Sequence, residues 1–257
     1  MANACISTDR ILEKLDAHLH ANNYLSAERH LKYWLEESRM VRDVRTELFL
    51  LNELMGLYRK TGRQNEAIEC AEGALGIADN GEMPCSVTCA TTYINAATVY
   101  KAFALADKAV PLFFKAREIY ERELDKGDAR LGGLYNNMAL ALVDLDRFDE
   151  AEGLYKRAIE VMRSIPDREG EVAITYLNLA TMTEKKLGLV DGDEQIREYL
   201  DVAEDLLEKH KDRDGYYAFV CEKCASVFGY YGRFVYEKTL AERAREIYER
   251  ERRGGTR

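Results

Sequence analysis

Apolar residues recur at Ile11, Leu12, Leu15 and Leu19, the three-and-four spacing of one face of a helix. Ser7 or Thr8 precedes that stripe as a helix cap. Asn22 or Asn23 closes it, because asparagine tolerates the left-handed backbone that helix ends often use. A second helix then carries Tyr24, Ala27, Leu31 and Trp34. This arrangement of helix, polar turn and helix recurs most plainly from Leu134 to Met162, with small residues at Ala139, Ala151 and Ala158, aromatics at Tyr135, Phe148 and Tyr155, and a polar turn from Asp144 to Asp149. The small-residue spacing returns at Ala97, Ala109 and Ala116 with Tyr93, Tyr100 and Phe113, and again at Met55, Ala67 and Ala74 with Tyr58. Gly62, Asp146 and Gly232 occupy the turn that Asn22 or Asn23 fills in the first copy.

The recurrence divides the chain into helix pairs over residues 8–39, 43–78, 86–126, 128–165, 169–211 and 214–252. A unit of this kind cannot bury its apolar face alone, so the six are expected to stack as a single domain over 1–257. Asp79 to Pro84 is a connector, with Gly81 and Pro84 as breakers. Pro111 is expected in the first turn of its helix, where little or no backbone donor is lost, and Pro166 ends the fourth unit. In the fifth unit the run KKLGLVDGDEQ, Lys185 to Gln195, predicts a loop longer than its counterparts, followed by a helix from about Asp193 to Lys211. The sixth keeps Cys224, Ala225, Phe228, Phe234 and Ala244 but has Glu237 where the others have alanine, and the first unit has Trp34 at another alanine position. The charged last helix suits a terminal cap that faces water, and the GGTR end is expected to fray.

These small and aromatic positions resemble the tetratricopeptide repeat. Their period of about 42 residues exceeds the usual ~34, so the helices are expected to carry extra turns. The resemblance implies an all-α fold, a right-handed superhelix (solenoid) of about six antiparallel helix pairs, whose first helices line a concave groove that holds proteins or extended peptides. The long repeat, together with an asparagine at one point of three successive helices (Tyr93-x-Asn95-x-Ala97, Tyr135-x-Asn137-x-Ala139, Tyr176-x-Asn178-x-Ala180), resembles the kinesin light chain group. There the implied role of the asparagine is to hold a cargo peptide's backbone. The resemblance covers the central units well and the ends poorly. It does not extend to the carboxylate clamp of chaperone-binding members, because the corresponding positions of unit four are Gly133 and Asn137.

Charge narrows the partner. At −9 over 257 residues, the chain lacks the basic balance that phosphate backbones require, which argues against nucleic acid. No apolar run approaches the roughly 20 residues of a membrane span, and the opening MANACISTDR does not resemble a signal peptide, so a cytoplasmic protein without membrane attachment is expected. The six cysteines then read as reduced thiols.

Asparagine is a mediocre helix former, so its recurrence at Asn95, Asn137 and Asn178 asks for a reason. Its amide both donates and accepts, and can bond the N–H and C=O of an extended peptide whatever the peptide's side chains. Helices about 8–10 Å apart present such a group about every three residues of extended chain. The equal alternative is that these amides bond neighbouring helices or recur by common ancestry. Further groove candidates are Asn52, Arg59, Lys60, Lys101, Asn136, Thr181, Lys185 and Lys223, interleaved with Glu53, Asp144, Glu184 and Glu222. Both signs are present, as on any solvated face.

Cys221-x-x-Cys224 and Cys85-x-x-x-Cys89 each place two sulfurs on one helical face, but they lie in units six and three. Non-adjacent repeats cannot share a tetrahedral metal. No cofactor is expected. The four histidines, His18, His20, His30 and His210, form no metal-binding pair, and no phosphate loop or nucleophile motif occurs, so an enzyme is not expected. The sequence predicts a protein- or peptide-binding adaptor. Its rivals are a regulatory receptor for a short signalling peptide and a scaffold that self-associates into a homo-oligomer through its end helices.

Overall fold

The computed structural model describes residues 7–80 and 86–254. Gly81, Pro84 and Cys85, and the terminal residues 255–257, lie outside the described residues. The chain falls into two compact units, 1–124 and 125–257. The first contains α1 (Thr8–His20), α2 (Tyr24–Met40), α3 (Val44–Lys60), α4 (Gln64–Asp79), α5 (Val87–Ala102) and α6 (Ala106–Glu123). The second contains α7 (Ala129–Asp144), α8 (Phe148–Arg163), α9 (Glu169–Asp191), α10 (Asp193–Lys209), α11 (Gly215–Tyr230) and α12 (Phe234–Gly254). All regular structure among the described residues is helical, and each unit comprises three consecutive helix pairs.

One backbone device makes the turn inside five of the helix pairs, and Arg42 (φ 56°) repeats it between α2 and α3. Asn22, Gly62, Ala104, Asp146 and Gly232 all have positive φ, between 51° and 81°. In each case the next residue's N–H reaches back to a carbonyl of the preceding helix: Asn23 to His18, Arg63 to Tyr58, Leu105 to Tyr100, Arg147 to Leu142 and Arg233 to Phe228, every one at 2.9 Å. This six-to-one bond satisfies a carbonyl that the helix end would leave orphaned. The same residue's carbonyl then accepts the N–H of the small residue four positions on, Ala27, Ala67, Ala109 or Ala151, and so starts the second helix. Ala104 is the sequence outlier, since a Cβ in the left-handed region costs roughly 1–2 kcal/mol. Glycine relieves that strain but widens the unfolded ensemble. Ala104→Gly is therefore expected to raise stability by about 0.5–1 kcal/mol in chemical denaturation; a loss would mean that this turn does not carry the strain.

The small positions are where the helices meet. Ala27, Ala67, Ala109 and Ala151, and likewise Ala74, Ala116 and Ala158, are wholly buried. Trp34, at the corresponding position of the first pair, is only partly buried and lies edge-on to Tyr33, with ring centroids 5.3 Å apart. The exception at Glu237 has its own compensation. A Cβ built on Gly229 would come within 2.3 Å of the Glu237 carboxyl, so the missing side chain on α11 is what gives the larger residue on α12 its room. Arginines after the turn glycines tie adjacent repeats. Arg63 donates to Glu28 of α2 at 2.6 Å, and Arg233 donates to Glu204 of α10 at 2.7 Å. Burial pushes the Glu28 carboxyl up, but hydrogen bonds from Lys32, Arg63 and Tyr58 outweigh it and hold the group at about 2.

Two segments differ from the sequence expectation. Pro111 lies inside α6, which starts at Ala106, so it stands in the second turn rather than the first. The carbonyl of Asp107 then has no i+4 amide partner, a loss that is tolerable because Pro111 is on the exposed side and water can serve that oxygen. The run from Lys185 to Gln195 is not a long loop. α9 continues to Asp191, bent at Gly188 (φ 81°, ψ 170°), and α10 begins at Asp193 after a single residue. That dihedral pair is open essentially only to glycine. Gly192 completes the tight corner: a Cβ there would lie 2.8 Å from the Gly188 carbonyl oxygen. The two glycines that read as breakers turn the chain without a loop.

Candidate functional site

The turn residues with positive φ give a common register for the first helix of each pair. Nine positions before them stand Glu13, Glu53, Asn95, Asn137 and Lys223, and Asn178 occupies the equivalent place in α9. One position earlier stand Asn52 in α3 and Asn136 in α7. The asparagine ladder is thus flanked by a second, offset set of amides.

The two sets meet within each unit. The Asn95 side-chain N–H donates to the Asn52 Oδ1 at 2.8 Å, and the Asn178 side-chain N–H donates to the Asn136 Oδ1 at 3.0 Å. Asn52 in turn donates to the Leu48 carbonyl (2.8 Å) and to the Thr92 hydroxyl (3.0 Å). These bonds tie α5 to α3 and α9 to α7, which is the helix-bonding role for part of each amide. Asn95 and Asn178 each donate one side-chain N–H here, and neither side-chain oxygen accepts a hydrogen bond among the described residues. Asn137 differs: it is half-buried, and its amide forms no hydrogen bond among the described residues. Tyr93 and Tyr135, beside the ladder, are core residues, while Tyr176 is partly exposed. A cation covers each ring: Lys115 on Tyr93 at 5.2 Å, Arg157 on Tyr135 at 4.4 Å and Arg163 on Tyr176 at 5.7 Å.

The first unit has an open cleft of about 560 Å³ between α3 and α5, lined among others by Phe49, Asn52, Glu53, Thr88, Thr91 and Asn95. Three of the predicted groove residues therefore share one concavity. Glu53 forms no hydrogen bond or ion pair among the described residues, and burial, with the Asp16 charge added, raises its carboxyl above the ordinary range. The second unit has a cleft of about 520 Å³ between α9 and α11, lined by Thr181, Glu184, Lys185, Ser226, Val227 and Tyr230. Glu184 accepts hydrogen bonds from the hydroxyls of Tyr230 and Tyr231, at 2.5 and 2.7 Å. Burial and that bond raise the Tyr231 phenol.

Other candidates are occupied or lie apart. Lys185 donates to the Val143 carbonyl at 2.6 Å and pairs with Asp146 at 3.0 Å, which ties α9 to the preceding turn. Thr181 bonds its own helix through Leu177. Lys223, on α11, lies over the Phe219 ring at 5.6 Å. Arg59, Lys60 and Lys101 sit in the last turns of α3 and α5, away from the cleft-lining residues, with Lys60 over the Tyr24 ring at 5.4 Å. The sequence reading missed Ser226, Val227 and Tyr230. Tyr230 shares the register of Lys60, two residues before the turn, and could have been found from it. Cys221 and Cys224 are buried in the α11 core, where a thiol acts as a small hydrophobe. Among the described residues no cluster of His, Cys, Asp and Glu is arranged to hold a metal, and no helix is long and apolar enough to cross a membrane.

Residues 130–188 match the family model for the tetratricopeptide repeat. No curated protein sequence matches the chain. Among solved structures, BtubC (BKLC) from P. vanneervenii is similar at 20% identity over 93% of this chain and 92% of its own, with a TM-score of 0.54. A putative kinesin light chain from Podosopora anserina with nearly identical tetratricopeptide-like repeats is similar at 16% identity over 80% of this chain and 96% of its own, with a TM-score of 0.56. NprR in complex with its cognate peptide NprX is similar at 16% identity with a TM-score of 0.59; the match covers 91% of this chain and 64% of NprR. The chain is built from tetratricopeptide-like helix pairs and shares the solenoid fold of these proteins.

Proposed function

We propose that this chain is a protein- or peptide-binding module, a cytoplasmic adaptor without enzymatic activity, which holds an extended segment along the first helices of its pairs. The observation that carries the reading is the Asn137 amide. It is half-buried mid-helix and unbonded among the described residues, at the ladder position where Asn95 and Asn178 are tied to their neighbours. The amide is open to water and free to exchange it for a ligand, and an extended backbone supplies the acceptor and donor that an amide matches. The open clefts between α3 and α5 and between α9 and α11 give side chains of such a segment somewhere to go. The likeness to NprR, solved with its peptide, favours a second reading as a receptor for a short signalling peptide. Selection from a random nonapeptide library, followed by fluorescence anisotropy on the enriched sequences, tests the binding module, and failure to enrich any sequence over scrambled controls rejects it. Small-angle scattering with and without the enriched peptide separates the readings: a receptor compacts on binding, and a rigid adaptor does not.

A further inference from the structure

The cleft of the first unit carries one charge that nothing among the described residues answers. Glu53 stands on its wall at the ladder position of α3, one residue from Asn52 and beside Asn95. It is half-buried and has no hydrogen bond or ion pair among the described residues, whereas the groove acid of the second unit, Glu184, is held by two tyrosine hydroxyls. The Asp16 charge on α1 adds to the negative field and does not relieve it. The cleft's own cation, Arg45, is exposed at the start of α3, eight residues before Glu53 and so roughly 12 Å along the helix, too far to serve it. Asp43 is already engaged as the cap of α3, accepting from the Thr46 N–H at 3.1 Å and the Thr46 hydroxyl at 2.9 Å. A partly desolvated carboxylate without a partner is completed by a cation far better than by a neutral group, and it repels an anion.

We propose that the cleft between α3 and α5 receives a lysine or arginine side chain of the bound segment, with Glu53 as its counter-ion and the Asn95 carboxamide, held in place by Asn52, against the backbone beside it. The proposal rests on the binding-module reading above and adds to it the chemistry of the ligand. Charge sets specificity here more than total affinity, because the pair forms at the expense of hydration on both sides.

The test uses the full chain and a nonapeptide array on an alanine and serine background, with the central residue fixed as Lys, Arg, Gln or Glu, read by anisotropy at low salt. Peptides with central Lys or Arg are expected to bind about tenfold or more tighter than those with central Glu, and Glu53→Gln is expected to remove most of that preference. Glu69→Gln, on the exposed side of α4 and outside this cleft, should leave it intact. Thermal melts confirm that Glu53→Gln is folded, and the wild-type preference is read independently of any variant. Equal binding of basic and acidic peptides, or a basic preference that survives Glu53→Gln, overturns the proposal while the binding module stands. If no peptide in the array or the random library binds, both fall.

Discussion

Ala151→Leu is expected to destabilise the protein by roughly 1–3 kcal/mol through overpacking. Ala151 is wholly buried, and its N–H makes the first bond of α8 to the Arg147 carbonyl, so neither its side chain nor its backbone can move outward without breaking the turn. The same site is a buried alanine in three other pairs, at Ala27, Ala67 and Ala109. Where the chain does place a larger residue, at Glu237, the facing helix carries Gly229. The second unit thus shows what accommodating bulk requires, and α7 has valine, Val143, at the position that matches Gly229. Urea denaturation of the variant measures the loss. A change below a few tenths of a kcal/mol would mean that this alanine is not where the two helices touch.

The second large effect is a separation of roles within the asparagine ladder. Asn137→Ala is expected to weaken binding of a selected peptide by roughly 1–3 kcal/mol, since a ligand group loses its partner. It should leave the unliganded protein as stable or slightly more stable, because alanine is the better helix former. Asn178→Ala removes the hydrogen bond to Asn136, which is worth about 0.5–1.5 kcal/mol of stability. Its melting temperature should therefore fall below that of Asn137→Ala. Equal melts and equal affinities in the two variants would show that the hydrogen bond to Asn136 makes no difference between them.

Much of the fold is legible in the sequence because it depends on residues that are conspicuous in one letter. The small positions can only be small, and Asn22, Gly62, Asp146 and Gly232 announce turns by their tolerance of positive φ. Ala104 announces nothing, and it takes the same conformation because the repeat on either side of it dictates the turn. The α9–α10 corner is opaque in the sequence for a related reason. Gly188 and Gly192 are breakers in any local account, but helix continues between them and the chain turns at two dihedrals. Pro111 stands a turn later than its own preference for the first turn suggests, since the helix start is set by the turn bond at Leu105 and not by the proline.

The candidate site was legible as a list of polar groove residues and not as a set of bonds. The pairing of Asn95 with Asn52 and of Asn178 with Asn136 joins residues 43 and 42 positions apart, close to the repeat itself. It could have been anticipated from the offset asparagines. What sequence could not supply is which polar groups are already spoken for. Lys185 looked like a ligand contact and is bonded to Val143 and Asp146. Glu53 looked like one charge among many and has no partner among the described residues.

The central claim, that the first helices of the pairs carry the binding surface, is tested most directly by photo-crosslinking to a selected nonapeptide. A photo-reactive side chain is introduced at Ser226, which is exposed in the cleft between α9 and α11, and in a second protein at Glu118, which is exposed on α6, a second helix of its pair. The account predicts that the peptide is captured from position 226, that unlabelled peptide competes the capture away, and that position 118 captures none. Capture from position 118 with none from position 226 would contradict it.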